Sequence, residues 1–227
     1  MTAELRHLLE GIFLVVAALI PIVNPLGGAP VFLALTRNVD DATRSLLARD
    51  VAINGFVLLL ASIFIGGFVL HFFGLSVPVV QIAGGFVVCS LAWNLLREGE
   101  ITADASTAAA AGPDSVGTRA FYPLTLPLTV GPGSISVAIT IGANHPSTVR
   151  SYLTAAVSSV IGVIVVCIAI YACYRYSRRL GELLGRNGTA VVVRLSAFIL
   201  LCIGVQIIWN GADALLGITG TPYSQRR

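Results

Sequence analysis

Charged side chains are scarce in this sequence. Only 11% of its 227 residues are Asp, Glu, Lys or Arg, whereas 56% are apolar; soluble domains are typically about a quarter charged. Lysine is absent, so all 14 basic residues are arginine, and the formal net charge is only +3. This composition predicts an integral membrane protein in contact with the lipid bilayer, and it argues against a nucleic-acid-binding surface.

Cysteines and catalytic motifs are also few. The four cysteines all lie in apolar runs, where a cysteine behaves as a small hydrophobic residue, so we expect no disulfide, metal site or cofactor. The sequence contains no HExxH motif, no G-x-S-x-G elbow and no pair of acidic residues inside an apolar run. We therefore expect no enzymatic activity.

Long apolar runs are what the chain does have. A membrane-spanning helix needs about 20 largely apolar residues, and six stretches qualify: 11–36, 51–73, 77–96, 119–143, 151–174 and 191–216. The first ten residues lack a basic signal-peptide region, so the first run is expected to stay as a membrane segment. We predict an all-α fold in which residues 1–96 and 119–227 hold three spans each and 97–118 form a polar connecting loop.

The arginines predict how the spans are oriented. Most of them flank the connections after the first, third and fifth spans, and few lie on the other side. Because basic loops favour the cytoplasm, we expect a multi-pass protein of the cytoplasmic membrane with both termini outside the cytoplasm.

The two halves resemble each other. Pro21 and Pro25 in the first span correspond to Pro127 and Pro132 in the fourth, and residues 83–94 correspond to 195–206 at a similar offset. A duplicated unit with an odd number of spans inserts its second copy upside down, so we predict two inverted three-helix repeats, as in many secondary transporters.

Proline and glycine motifs interrupt the first and fourth spans at mid-depth. Asn is a favoured N-cap and Pro is favoured at the first helical position, so one half-helix is expected to end near Pro21 and another to begin at Asn24. The second motif predicts the same break, with Gly131 as the cap. Free N–H groups at this depth must face protein, water or a ligand, and a helix start attracts anions.

These breaks are the predicted substrate-binding site, and Gly133 is expected to leave open space that Gly133→Leu would fill. Asn94 and Gln206, at equivalent positions of the two halves, are expected to line one pathway from opposite sides. Simple kinks and close helix packing are the alternative explanation. The predicted site residues are Asn24, Pro25, Leu26, Gly27, Gly28, Asn94, Thr129, Gly131, Pro132, Gly133, Ser134 and Gln206.

Three segments resemble the MarC family of six-span membrane proteins. They are IPIVNPLGGAPVFLALT, IAGGFVVCSLAWNLL and LPLTVGPGSISVAITIGA, and the resemblance covers nearly the whole chain. It departs from the family pattern at Asn94, where we expect Gln, and in the alanine-rich loop. The resemblance implies transport of small neutral amino acids such as glycine and alanine.

Other functions remain open from the sequence alone. Broken helices also build channels, and the same fold could export other small metabolites or drugs, or serve a structural role without transport. We expect the partners to be a small neutral zwitterionic solute and the bilayer, and homo-oligomerisation is compatible with the sequence.

Overall fold

A computed structural model describes residues 3–36, 39–98, 120–146 and 149–217. The regular secondary structure in these ranges is entirely helical. The eight helices are α1 (Ala3–Val23), α2 (Pro25–Leu35), α3 (Asp41–Phe72), α4 (Val77–Glu98), α5 (Ala120–Thr129), α6 (Pro132–Ala143), α7 (Val149–Arg175) and α8 (Ser177–Leu216).

Five helical segments in the described ranges are long and apolar enough to cross a membrane. They are Leu5–Leu33, which joins α1 and α2, Asp41–Phe72, Val77–Asn94, Val149–Arg175 and Ala190–Leu216. They match five of the six expected spans. The remaining one, 119–143, is the fourth along the chain, and it is divided into α5 and α6. Each of these helices is too short to span alone, so this fourth span stays a prediction. The expected loop over 97–118 is shortened by the end of α4, and its residues 99–118 lie outside the described ranges.

The first break is a single residue wide. Pro25 is the first residue of α2, as predicted, and α1 ends at Val23, two residues beyond the expected end near Pro21. The Asn24 amide still donates to the Ile20 carbonyl at 2.9 Å, so the helical bonding resumes after the missing Pro21 N–H. Only Asn24 leaves the helical conformation, with a φ of 46°.

The second break is longer, because two prolines loosen α5. Tyr122 and Leu126 each precede a proline and adopt extended backbone angles, as the steric demand of the following ring requires. The Val130 amide reaches back five residues to the Thr125 carbonyl at 2.8 Å. The helix therefore has wide π-type turns.

Helices α4 and α8 form the most extensive helix pair. Their own small hydrophobic cluster contains Val88, Ala92 and Leu200, while the main core draws on α1 to α3 and α5 to α7. The backbones approach closely at Gly204, where an added Cβ would lie 2.6 Å from Cys89 Sγ and 3.1 Å from the Gly85 carbonyl oxygen. Small residues permit such crossings between membrane helices.

Contacts between helix ends define two faces of the bundle. On the face that we call the terminal face, the end of α8 meets the start of α4, where a Cβ on Gly211 would lie 2.7 Å from the Pro78 carbonyl oxygen. On the opposite face, which we call the arginine face, Arg178 of α8 lies 3.1 Å from the Asp41 carboxylate of α3.

Candidate functional site

Asn24 builds the first helix start with its own side chain. Its Oδ1 accepts a hydrogen bond of 3.1 Å from the Gly27 amide, and the Gly28 amide bonds to its carbonyl at 2.9 Å. A side chain at Gly27 would collide with the Asn24 amide group, which explains the glycine. Pro25 has no N–H. The Leu26 N–H is therefore the group in the first turn that has no acceptor within α2.

The second helix start is capped differently. Gly131 stands at the N-cap without a side-chain hydrogen bond, and Pro132 begins α6, as predicted. The Ser134 hydroxyl donates back to the Gly131 carbonyl at 2.9 Å. The open space expected beside Gly133 is absent, because a Cβ there would collide with Val88 of α4. Gly133 is thus a packing contact between α4 and α6, and Gly133→Leu would separate these helices rather than fill a binding space.

Tyr174 of α7 joins the two breaks. It is fully buried, and its hydroxyl lies 2.9 Å from the Thr129 hydroxyl, which also donates to the Leu124 carbonyl at 2.7 Å. A Cβ on Gly28 would lie 2.7 Å from the same Tyr174 oxygen. One phenol therefore contacts the predicted site residues on both sides.

The Tyr174 ring is held from α2. It stacks on Phe32 with ring centroids 4.5 Å apart and an interplanar angle of 16°. Both side chains are fully buried. The end of α2 is thereby packed against the end of α7, immediately beside the two breaks.

Arg44 links further helix ends on the arginine face. This largely buried guanidinium donates to the carbonyls of Thr36 at 3.0 Å and Val39 at 2.9 Å, just beyond α2, and it pairs with Asp41. Because Asp41 also contacts Arg178, the ends of α2, α3 and α8 are linked by charge-assisted hydrogen bonds.

A cavity of about 590 Å³ opens on the terminal face. It lies between α1, the starts of α4 and α7 and the ends of α6 and α8, and it extends along α1 from Gly11 to Ile22, two residues before Asn24. Its described lining includes no Asp, Glu or Arg. The polar residues among that lining are Gln81, Thr140, Asn144, His145, Ser158, Ser159 and Asn210.

His145 is the titratable group of this cavity. Its Nε2 lies 3.1 Å from the Ser159 hydroxyl, and its ring contacts the rings of Phe64 and Tyr152. Partial burial lowers the pKa of this imidazole below its usual value, because desolvation disfavours the charged form. The neutral ring is therefore the favoured form at pH 7.

Neither Asn94 nor Gln206 is among the residues that line the cavity. Both are exposed on α4 and α8, and the Gln206 amide donates to Asn210 on its own helix at 2.8 Å. The structure does not bring these two residues together with the helix starts, and their binding role remains a prediction.

Sequence reasoning did not single out Tyr174 or His145. A signal for Tyr174 existed, since a phenol deep in an apolar span usually finds a hydrogen-bond partner. His145 carries no such signal, because a histidine in a short connection is ordinarily solvent-exposed. Only the packing of α3 and α7 around it reveals its position.

Comparisons with known proteins place this chain among integral membrane proteins. Residues 9–216 match the family model described as MarC family integral membrane protein. The inner membrane protein MarC of Salmonella typhimurium is 29% identical over 91% of this chain and 96% of its own length. The protein of the same name from Escherichia coli is 30% identical over 90% and 95%. No solved structure matches.

Proposed function

Because this chain belongs to the MarC family of integral membrane proteins, we propose that it is a secondary transporter of small neutral amino acids such as glycine and alanine. The names of its relatives place them in an inner membrane, and we propose the same membrane for this protein. The positions of the arginines favour an arrangement with both termini outside the cytoplasm.

The observation that carries the proposal is the meeting of the two breaks at Tyr174. Gly28 belongs to the first break and Thr129 leads into the second, and both contact this one hydroxyl. Half-helix starts near the bilayer midplane donate backbone N–H groups to anionic substrate groups in transporters. The carboxylate of a zwitterion suits such a site, because it needs no arginine or lysine to hold it.

The helix contacts support two inverted repeats. If α1 to α4 correspond to α5 to α8 in order, the packing of α1 on α7 has its counterpart in α5 on α3, and that of α6 on α4 in α2 on α8. Two glycines at the corresponding helices α3 and α7 make matching contacts. Gly55 of α3 faces Val130 of the fourth span, and Gly162 of α7 faces Val15 of the first span. Residues 83–94 and 195–206 also alternate between buried and exposed in nearly the same order.

The two faces support alternating access. The cavity opens on the terminal face, whereas the contacts of Tyr174 and Arg44 hold helix ends together on the arginine face. We infer that this arrangement is one of two states, and that the other opens the arginine face by separating the end of α2 from α7.

Counterflow tests the proposal directly. Purified protein in liposomes preloaded with unlabelled glycine or alanine should take up the radiolabelled amino acid in a saturable manner, unlike protein-free vesicles. Gly28→Ala places a methyl group 2.7 Å from the Tyr174 hydroxyl and should reduce exchange by about tenfold or more. Gly67→Ala is the matched control, because no atom lies within 4 Å of the added Cβ.

Absence of exchange across a panel of small zwitterions, in protein shown to be folded, would reject the amino-acid assignment. A steady ionic conductance in planar bilayers would identify a channel instead. Equal exchange by wild type, Gly28→Ala and Gly67→Ala would remove the breaks from the transport mechanism.

A further inference from the structure

The terminal-face cavity has the size and the lining of a solute site. Its volume of about 590 Å³ falls within the range of small-molecule pockets, roughly 300–1,000 Å³. It contains none of the residues of the two breaks, so its chemistry can be considered separately from theirs.

The lining disfavours a ligand with net charge. Apolar side chains such as Val15, Val137 and Ile141 form most of its wall, and no Asp, Glu or Arg is found in its described lining. Moving an unpaired ion into such surroundings is costly. A zwitterion also has two charged groups to desolvate, but hydrogen bonds from amides and hydroxyls to both of its ends offset that cost.

Gln81 presents an acceptor to the cavity. Its Nε2 donates to the Thr140 hydroxyl at 3.2 Å, and Thr140 in turn donates to the Ser136 carbonyl at 2.9 Å. The Ser136 hydroxyl donates to the Val80 carbonyl at 3.1 Å, which ties this chain of bonds back to α4. With its amide nitrogen so engaged, Gln81 has its carbonyl oxygen left for a donor such as an ammonium group.

Asn210 presents the opposite group. Its Oδ1 accepts a hydrogen bond of 2.8 Å from Gln206, so its NH₂ group is left for an acceptor such as a carboxylate. Both amides line the same cavity, and each is oriented by a bond on its other atom. One acceptor and one donor, held in place beforehand, complement the two ends of a zwitterion.

We propose that this cavity is the binding site for a small zwitterion on the terminal face, with Gln81 accepting from its ammonium group and Asn210 donating to its carboxylate. His145 and Ser159 border the site, and their mutual bond keeps the imidazole in one orientation. This inference rests on the proposed transport of neutral amino acids, and it names the residues that first hold the solute.

Equilibrium binding of radiolabelled glycine and alanine to the purified full-length protein tests the inference. Gln81→Leu and Asn210→Leu should each weaken binding by about tenfold or more, since each removes a hydrogen bond to a charged group. Asn54→Leu is the matched control, because it removes an amide from α3, a helix that contributes no residue to the cavity lining. Melting curves establish that each variant is folded.

Competition with two analogues that each lack one charged group provides a second readout. Ethanolamine lacks the carboxylate and glycolate lacks the ammonium group, so both should compete poorly with alanine for the wild-type protein. Weaker alanine binding in both cavity variants, with wild-type affinity in Asn54→Leu, supports the inference.

Two results would overturn the inference in different ways. If wild type exchanges and binds alanine but the folded cavity variants bind it with unchanged affinity, the cavity is not the site and the transport proposal survives. If folded wild type neither binds nor exchanges any small zwitterion, the ligand class and the transport proposal both fail.

Discussion

At the scale of single residues, Asn24 performs two functions that few other residues combine. Its φ of 46° places it in the left-handed region, which Asn tolerates better than most residues, and its side chain caps the Gly27 amide. The cap was predicted from the sequence, because capping depends on residues three positions apart, whereas the left-handed φ was not predicted.

Substitutions at Asn24 should separate the two contributions. Asn24→Ala loses the cap and adds left-handed strain, at about 1 kcal/mol each, so the free energy of unfolding should fall by about 2 kcal/mol. Asn24→Gly loses the cap without strain and should cost only a few tenths of a kcal/mol. Thermal or denaturant unfolding in detergent measures both. Equal stability of the two variants would contradict a left-handed Asn24.

Gly133 illustrates what the sequence leaves undetermined at this scale. Its position beside Pro132 predicted a helix start, which is correct, but the same letters do not say what faces its missing side chain. Val88, which occupies that space, is distant in sequence. The contact exists only because α4 packs against α6.

At the scale of helices, the crossing of α4 and α8 depends on the absence of side chains. The surroundings of Gly204 include the Gly85 carbonyl oxygen at 3.1 Å and the Cys89 amide nitrogen at 3.0 Å from a built Cβ. Backbone atoms cannot rotate away as a flexible side chain can. An added methyl group must therefore move the helices apart.

Gly204→Ala should consequently lower the free energy of unfolding by about 1–3 kcal/mol, the usual cost of overpacking. In contrast, Gly67→Ala should be neutral or slightly stabilising, since the alanine meets no neighbour within 4 Å and favours a helix. Melting temperatures in one detergent compare the two. A Gly204→Ala protein as stable as Gly67→Ala would mean that α4 and α8 do not cross so closely.

At the scale of the whole molecule, His145 connects stability to pH through the packing of several elements. It lies between α6 and α7, bonds to Ser159 and contacts Phe64 of α3, and Tyr152 is the titratable group whose ring it touches. Burial lowers its pKa in the folded protein. Below about pH 6.5, the ordinary histidine value, the unfolded chain therefore binds more protons than the folded one.

The difference in bound protons sets the direction in which stability changes with pH. The contribution of His145 to stability is fully present above about pH 6.5 and declines as the pH falls through the lowered pKa. The effect should be small, because the side chain is only half buried. Melting temperatures of wild type and His145→Gln, measured from pH 8 to 5, should show a steeper acid decline in wild type. Parallel profiles would contradict a buried neutral imidazole.

The linked helix ends on the arginine face and the cavity on the terminal face are likewise properties of the tertiary structure. The link from Arg44 through Asp41 to Arg178 joins segments that are far apart in sequence. The sequence predicted that most arginines lie on one side of the membrane. It did not predict that Asp41 of α3 would pair with Arg178 of α8.

By itself, the sequence determined the features that depend on neighbours along the chain. The scarcity of charge indicated a membrane environment, and apolar runs of sufficient length predicted the five spans found among the described residues. Pro25 and Pro132 became the first residues of α2 and α6, because a proline without an N–H fits that position best. The two further residues of α1 beyond Pro21 were not predicted, since continuation of a helix depends on the bonds that resume beyond the proline.

The tertiary structure alone decided which of these local features meet. Tyr174 reaches Gly28 and Thr129, Val88 fills the space beside Gly133, and Gln81 and Asn210 line a common cavity. Each of these relations joins residues from different helices. Their distances depend on how whole helices pack, which the periodicity and capping signals within any one helix do not encode.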